Sequence, residues 1–240
     1  MAKAETVIAV AKSFVGTRED PPGSNRQPFG ADIDANYKGW YNGNKNGYDW
    51  CTQYHDDMFL RAYGEAEARR LLCRPNKSYN LGAVVKYAWN YYAQENRTGN
   101  KPRVGCSIFF KNDRGLSHIG IVQMYDDKYV YTYEGNSGTN HEYVTNDRYL
   151  LTDSRIAGYG YPAYNEEDTP YIVGGLYKKV CRDFLNIREK PSMSGKLCGR
   201  LDGSPVVRCC GVSIDEKENI WLDIGNLWIC AKFGKEIYVK

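Results

Sequence analysis

Apolar residues recur at helical spacing over residues 5–15, where Val7, Ile8, Val10, Ala11, Phe14 and Val15 share one face and Gly16 follows. A second stripe of Tyr54, Met58, Phe59, Ala62 and Tyr63 predicts a helix from Thr52 to about Tyr63, stopped by Gly64. Residues 65–72 read as a short helix or a continuation past a kink. Residues 79–95 read as another helix, with Ser78 placed to cap it. Between the first two stripes the composition is irregular. Pro21-Pro22-Gly23-Ser24-Asn25 opens a loop that runs through residues 31–36 and on to Tyr48.

From Gly105 the period changes. Residues 105–110 and 117–124 read as buried strands, and residues 129–134 alternate with high β-propensity. Tyr125-Asp126-Asp127-Lys128 marks a hairpin turn. A three-residue loop at 125–127 pairs positions that sum to 252, which sets His118 opposite Glu134 on one face. A two-residue loop would send the two side chains to opposite faces. Residues 135–138 form a turn, and residues 156–162 close this part of the chain. Asn165-Glu166-Glu167-Asp168-Thr169-Pro170 has linker composition. Beyond it the runs 175–180, 185–188, 195–201, 206–210, 220–224 and 227–232 are strand-like and closely spaced by turns, which predicts a small β-barrel. The expected architecture is α+β over residues 1–164, a linker at 165–169, and a small all-β barrel over 170–240.

Composition narrows the function classes. A chain of 240 residues can bury a real core, and its 21 Tyr and 24 Gly suit sheets and turns. No run approaches the ~18 apolar residues of a membrane span. The N-terminus lacks the apolar stretch of a secretory signal, so a cytoplasmic chain with no membrane insertion is expected. The net charge of +3 is unevenly spread: from Pro170 onward there are 12 Lys and Arg against 8 Asp and Glu, while the rest holds 20 against 21. A mildly basic C-terminal part suits an anionic polymer. No basic run is interleaved with aromatics, so nucleic acid is not an expected partner. The eight cysteines form no paired C-x-x-C knuckles with histidines, so neither zinc nor disulfides are expected. Asp32-x-Asp34-x-Asn36 is spaced like the start of a calcium loop, but it lacks the glycine and glutamate such a loop needs. No metal or cofactor is assigned.

The candidate chemistry centres on Cys51, which a Gly-, Asn- and Tyr-rich loop delivers to the N-terminus of a helix. Unpaired backbone N–H groups and the helix dipole favour an anion there, which makes a thiolate accessible. Thiol catalysis of amide cleavage also needs a histidine to move the proton and a polar group to orient the imidazole. The chain has three histidines. His141 sits in a polar loop, and His55 lies one turn along the helix from Cys51, which suits packing better than in-line base chemistry. His118 is left, with Glu134 across the hairpin and Asn136 just beyond.

Trp50-Cys51, Gly105-x-x-Ile108-Phe109-Phe110, Ser117-His118-Ile119-Gly120-Ile121-Val122 and Glu134-Gly135-Asn136-Ser137-Gly138 occur in the order found in the CHAP domain. Residues 1–164 thus resemble that family, the cysteine, histidine-dependent amidohydrolase/peptidase of bacterial and phage wall-lytic enzymes. Pro22-Gly23-Ser24-Asn25 and Gly158-Tyr159-Gly160-Tyr161-Pro162 resemble its phage members. The resemblance implies a papain-like fold and hydrolysis of a peptidoglycan amide bond. It implies Cys51 as nucleophile, His118 as general base and acid, Glu134 as its orienting group, Asn136 assisting, and the Cys51 N–H at the oxyanion. Residues Thr52-Gln53-Tyr54-His55 are more polar than the family pattern. Leu185-Asn186-Ile187-Arg188-Glu189-Lys190-Pro191-Ser192, with Trp221 and Trp228-Ile229, is similar to bacterial SH3-like wall-binding modules. The function expected from both resemblances is that of a phage endolysin, an N-acetylmuramoyl-L-alanine amidase or endopeptidase held in the host cytoplasm until the membrane is breached. The alternatives are a bacterial wall-remodelling or interbacterial toxin hydrolase, and a non-catalytic wall-binding protein.

Overall fold

Helix α1 (Ala4–Ser13) buries Val7 and Ala11 of the first apolar stripe. The computed structural model describes residues 2–76, 79–164, 171, 175–215, 217 and 219–240. The chain divides into two units, Met1–Glu166 and Glu167–Lys240. The expected linker at 165–169 and the Ser78 cap lie outside the described residues.

Helix α2 (Pro28–Asn36) stands where the composition predicted loop. Its cap is a glutamine: Gln27 Oε1 accepts the Phe29 and Gly30 N–H groups at 2.8 and 2.9 Å, and Pro28 presets the first turn. Asp32, Asp34 and Asn36 all ride on this helix. Asp32 accepts from Asn36, and Asp34 accepts the backbone N–H groups of Lys45 and Asn46. Among the described residues, no group of three His, Cys, Asp or Glu side chains is placed to hold a metal ion.

Helix α3 (Cys51–Tyr63) begins at the candidate nucleophile and ends at Gly64, whose N–H reaches Leu60 O. Helices α4 (Glu65–Leu71) and α5 (Val85–Gln94) follow. The last starts six residues later than its stripe suggests. Residues 80–84 instead fold around Asn80, which donates to Trp40 O at 2.6 Å and accepts the Gly82 N–H. No helix among the described residues is long and apolar enough to cross a membrane.

The strands of this unit are β1 (Thr98–Gly99), β2 (Ser107–Asn112), β3 (Gly115–Tyr125), β4 (Tyr129–Ser137), β5 (Tyr143–Leu150) and β6 (Ile156–Gly160). They form one antiparallel sheet in the order β1-β6-β2-β3-β4-β5. The helices bury one face of it around Trp40, Trp50, Tyr54 and Phe59. Ile108, Phe110, Val122, Val130 and Tyr159 form a smaller cluster of their own. Two features escaped the sequence reading: β5 is a full strand, and β4 runs on through the residues expected to turn.

The hairpin register also differs from expectation. Its last pairs are Tyr125 with Val130 and Met124 with Tyr131, so residues 126–129 close the hairpin. A bulge at Gln123 then resets the ladder, so that Val122 pairs with Thr132 and Ile121 with Tyr133. One further step places Glu134 opposite Gly120 rather than His118. The bulge restores the even parity that the loop alone would break, so His118 and Glu134 keep a common face.

The C-terminal unit is β-rich, as expected. Its strands are β7 (Leu176–Lys178), β8 (Leu185–Arg188), β9 (Leu197–Leu201), β10 (Val206–Arg208), β11 (Gly211–Ile214), β12 (Ile220–Asp223), β13 (Trp228–Phe233) and β14 (Glu236–Ile237). β7 pairs with β10; the others form a sheet in the order β11-β12-β13-β8-β9, with β14 on β13. The expected closure into a barrel is not seen, since the outer strands β11 and β9 do not pair with each other among the described residues. Leu185, Cys209, Leu222, Ile229 and Ala231 fill its core. All eight cysteines are free thiols, with Cys209 buried and Cys210 exposed.

Candidate active site

Cys51 is the first residue of α3 and is 5% exposed, just behind Trp50. The side chains of Trp50, Thr52 and Gln53 fix this end of the helix. The Trp50 indole N–H donates to Glu19 Oε1 at 2.7 Å, and Glu19 Oε2 accepts the Asn25 N–H. Gln53 Nε2 donates to the carbonyls of Tyr48 and Asp49, and Gln53 Oε1 accepts from Gln27 Nε2. Thr52 Oγ1 donates to Ala83 O at 2.6 Å. The polar run that follows the cysteine therefore has a structural cause: each of these side chains ties the helix start to a neighbouring segment.

His118 lies on β3 with its side chain 21% exposed. Its Nε2–H donates to Glu134 Oε2 at 2.8 Å, which leaves Nδ1 for Cys51. Glu134 is nearly fully buried and accepts two more hydrogen bonds, from Thr132 Oγ1 and from Tyr149 OH at 3.1 Å. Burial presses the imidazole toward its neutral form, but the hydrogen bonds and charges of Cys51 and Glu134 outweigh it and lift the pKa of His118 to about 10. Burial and the Glu134 charge together hold the Tyr149 hydroxyl protonated. The arrangement can take a proton from a thiol and return one to a leaving amine.

Two glycines let the sheet and the helix meet here. A Cβ on Gly120 would lie 2.6 Å from Glu134 Cγ, so the missing side chain is the space through which Glu134 reaches His118. A Cβ on Gly135 would strike Tyr54 and lie 2.8 Å from Trp50 Cζ3, so β4 lies against the first turn of α3 only because that position is bare.

Asn136 follows in the left-handed region at φ 56°, a conformation asparagine tolerates. Its side chain makes no hydrogen bond among the described residues, so it is not tied to the His118–Glu134 pair. His141 is exposed in the turn after β4. His55 has a different role. Tyr92 OH and Ser107 Oγ are 3.0 Å apart, Ser107 Oγ is 2.7 Å from His55 Nε2, and His55 Nδ1 is 2.9 Å from Asp56 Oδ1. This line has the residue order of a hydrolase triad, yet Ser107, His55 and Asp56 are all at 0% exposure, so no substrate reaches it. Burial lowers the His55 pKa. Arg74 pairs with Asp56 at 2.6 Å and, with His55, outweighs burial to keep that carboxylate charged.

The sequence reading missed Thr132, Tyr149, Gln53, Glu19 and the two glycines. For Tyr149 a signal existed in the period-2 run Tyr143, Thr145, Asp147, Tyr149. For the others only the fold reveals the partner.

A search of the curated proteins found no match. Among solved structures, the chain is similar to the crystal structure of Ly7917 at 16% identity and a TM-score of 0.41, covering 100% of this chain and 97% of that one. A second structure, of Ly7917 with the hydrolyzing product of MDP, matches at 14% identity and a TM-score of 0.38, covering 100% and 98%. The NlpC/p60 domain of the peptidoglycan hydrolase SagA matches at 13% identity and a TM-score of 0.35, covering 66% of this chain and 98% of that domain. Residues 43–136, the span that holds Cys51, His118, Glu134 and Asn136, match the family of the CHAP domain.

Proposed function

We propose that the protein is a peptidoglycan hydrolase that cleaves an amide bond of the Gram-positive cell wall by thiol chemistry, as a phage endolysin does. The observation that supports this most is the line Cys51–His118–Glu134 at the start of α3, within the span that matches the CHAP domain.

In this reading His118 Nδ1 takes the thiol proton and Sγ of Cys51 attacks the amide carbonyl, while the Cys51 backbone N–H at the helix start faces the oxyanion. The protonated His118 gives its proton to the leaving amine. Water then enters, His118 takes a proton from it, and the thioester is hydrolysed to release the acid. Glu134 keeps Nε2 protonated throughout, and Thr132 and Tyr149 hold Glu134 in place. Asn136, whose amide is uncommitted, is the nearby donor left to meet substrate. The C-terminal unit, a small sheet proposed to be SH3-like, holds the enzyme on its polymer.

The test compares the wild type with Cys51→Ala on purified Gram-positive walls. The variant is expected to sediment with the walls and clear none of them; clearing at the wild-type rate overturns the thiol mechanism. Mass spectrometry of the released fragments assigns the bond. A freed L-Ala amine means an amidase, and a cut in the stem or cross-bridge means an endopeptidase.

A further inference from the structure

Beside β8 of the C-terminal unit there is a cavity of about 370 Å³. Leu185, Trp221 and Cys230 line it and are buried, and Phe184, Met193 and Phe233 line it and are exposed. Arg188 also lines it, half-buried, with a single hydrogen bond from Nη1 to Gly195 O at 2.7 Å. A guanidinium carries five N–H donors, and burying them without acceptors is unfavourable. Among the described residues Arg188 has no ion-pair partner. Of the two carboxylates that line the same cavity, Glu236 instead accepts the Tyr238 hydroxyl at 2.8 Å, and Asp183 makes no ion pair among the described residues. Asn186 lines the cavity too, and its amide makes no hydrogen bond among the described residues.

Two of the aromatic groups here are poorly disposed toward sugar. Trp221 has no exposed ring face, and its indole N–H is committed to Asp215 at 3.0 Å. Arg200 covers a face of Phe184 at 4.0 Å. What stays open is the Arg188 guanidinium, anchored through one nitrogen, the free Asn186 amide, the exposed side chains of Arg182 and Asp183, and the apolar Met193 and Phe233, in a cavity at the small end of the ~300–1,000 Å³ range of ligand pockets.

We propose that this cavity is the recognition pocket for a short peptide of small residues that ends in a free carboxylate. The carboxylate pairs with Arg188, the peptide backbone with Asn186, and the small side chains rest against the exposed Met193 and Phe233. The assignment rests on the reading of the C-terminal unit as a wall-binding module.

The test uses the full chain carrying Cys51→Ala, so that nothing is cut. It is titrated by calorimetry with N-acetyl-tri-D-alanine, with the same peptide as its C-terminal amide, and with an N-acetylglucosamine tetramer. The free acid is expected to bind, the amide to bind at least about tenfold more weakly, since one charge-assisted contact is lost, and the tetramer not to bind. Arg188→Gln is expected to abolish the difference between acid and amide. Equal binding of acid and amide to the unsubstituted pocket, or no binding of the acid at millimolar concentration, overturns the proposal without reliance on any variant's folding. Sedimentation with whole walls is run beside it. If walls bring the chain down but the acid peptide does not bind, the pocket is wrong and the wall-binding reading stands. If walls do not bring it down, the wall-binding reading falls by itself.

Discussion

His118 Nε2 sits 2.8 Å from Glu134 Oε2, although the two residues are diagonal rather than opposite in the β3–β4 ladder. Glu134 crosses to His118 over the bare Cα of Gly120. The geometry of the candidate site, loop length and a glycine are therefore one problem in this hairpin.

Glu134→Gln keeps the shape and removes the charge. The His118 pKa of about 10 is raised by Cys51 and Glu134 against burial, so the titration midpoint followed by NMR at the ring protons is expected to fall in the variant. The rate of wall cleavage should drop by ~10²–10⁴-fold, the range for losing acid–base function. The raised pKa also implies a stability term. It is complete below the ordinary histidine value of about 6.5 and is lost as pH rises through about 10. Over that window the melting temperature of the variant should depend less on pH than that of the wild type.

Gly120→Ala places a methyl group against Glu134. The expected cost is about 1–3 kcal/mol of stability from overpacking, together with a lowered His118 midpoint as Glu134 is pushed away. Urea unfolding and the same NMR titration measure the two effects. A variant with wild-type midpoint and activity would show that Glu134 does not need that space.

Asp56→Ala leaves Arg74 buried without its partner, since both side chains are at 0% exposure. The loss is expected to be about 3–5 kcal/mol by equilibrium unfolding. Replacing both residues with apolar ones should restore a large part of it.

Asp57 is a buried carboxyl on α3 whose Oδ1 has no hydrogen-bond partner among the described residues and whose Oδ2 accepts from Arg61 at 2.6 Å. Burial raises its pKa to about 8, with Arg61 opposing and Asp32 adding to the rise. A raised carboxyl pKa means the folded state holds the proton longer than the unfolded one. Stability is therefore lost as pH rises from about 4 toward 8. Asp57→Asn should lose this contribution to the pH dependence and be more stable than the wild type at pH 9, with the difference shrinking toward pH 4. Unfolding curves across that range check it.

Much of the N-terminal unit was legible because its chemistry follows local rules. The stripe after Cys51 placed α3 within one residue, and the alternation of residues 129–134 placed the start of β4. What was not legible depends on partners far along the chain. Gln27 caps α2, a role composition assigns to Ser, Thr, Asp or Asn, and Gly30 and three polar residues diluted that helix's stripe. The hairpin register missed by two residues because a bulge at Gln123 has no local sequence signature. In the C-terminal unit the runs of β8, β12 and β13 were visible. β11 and β14 are short enough to be defined mainly by the strands they pair with.

The Gln123 bulge makes the hairpin arithmetic rather than merely geometric. Four residues lie between Tyr125 and its partner Val130, so the ladder starts at an odd sum, and the extra residue at 123 makes it even before the strands reach His118. Loop and bulge therefore behave as two digits of one checksum. Adding one residue to the loop turns either His118 or Glu134 away from the site, and so does deleting Gln123. Doing both together returns the pair to a shared face. Any graft, insertion tag or shortened turn placed in this hairpin must keep that parity to keep the site.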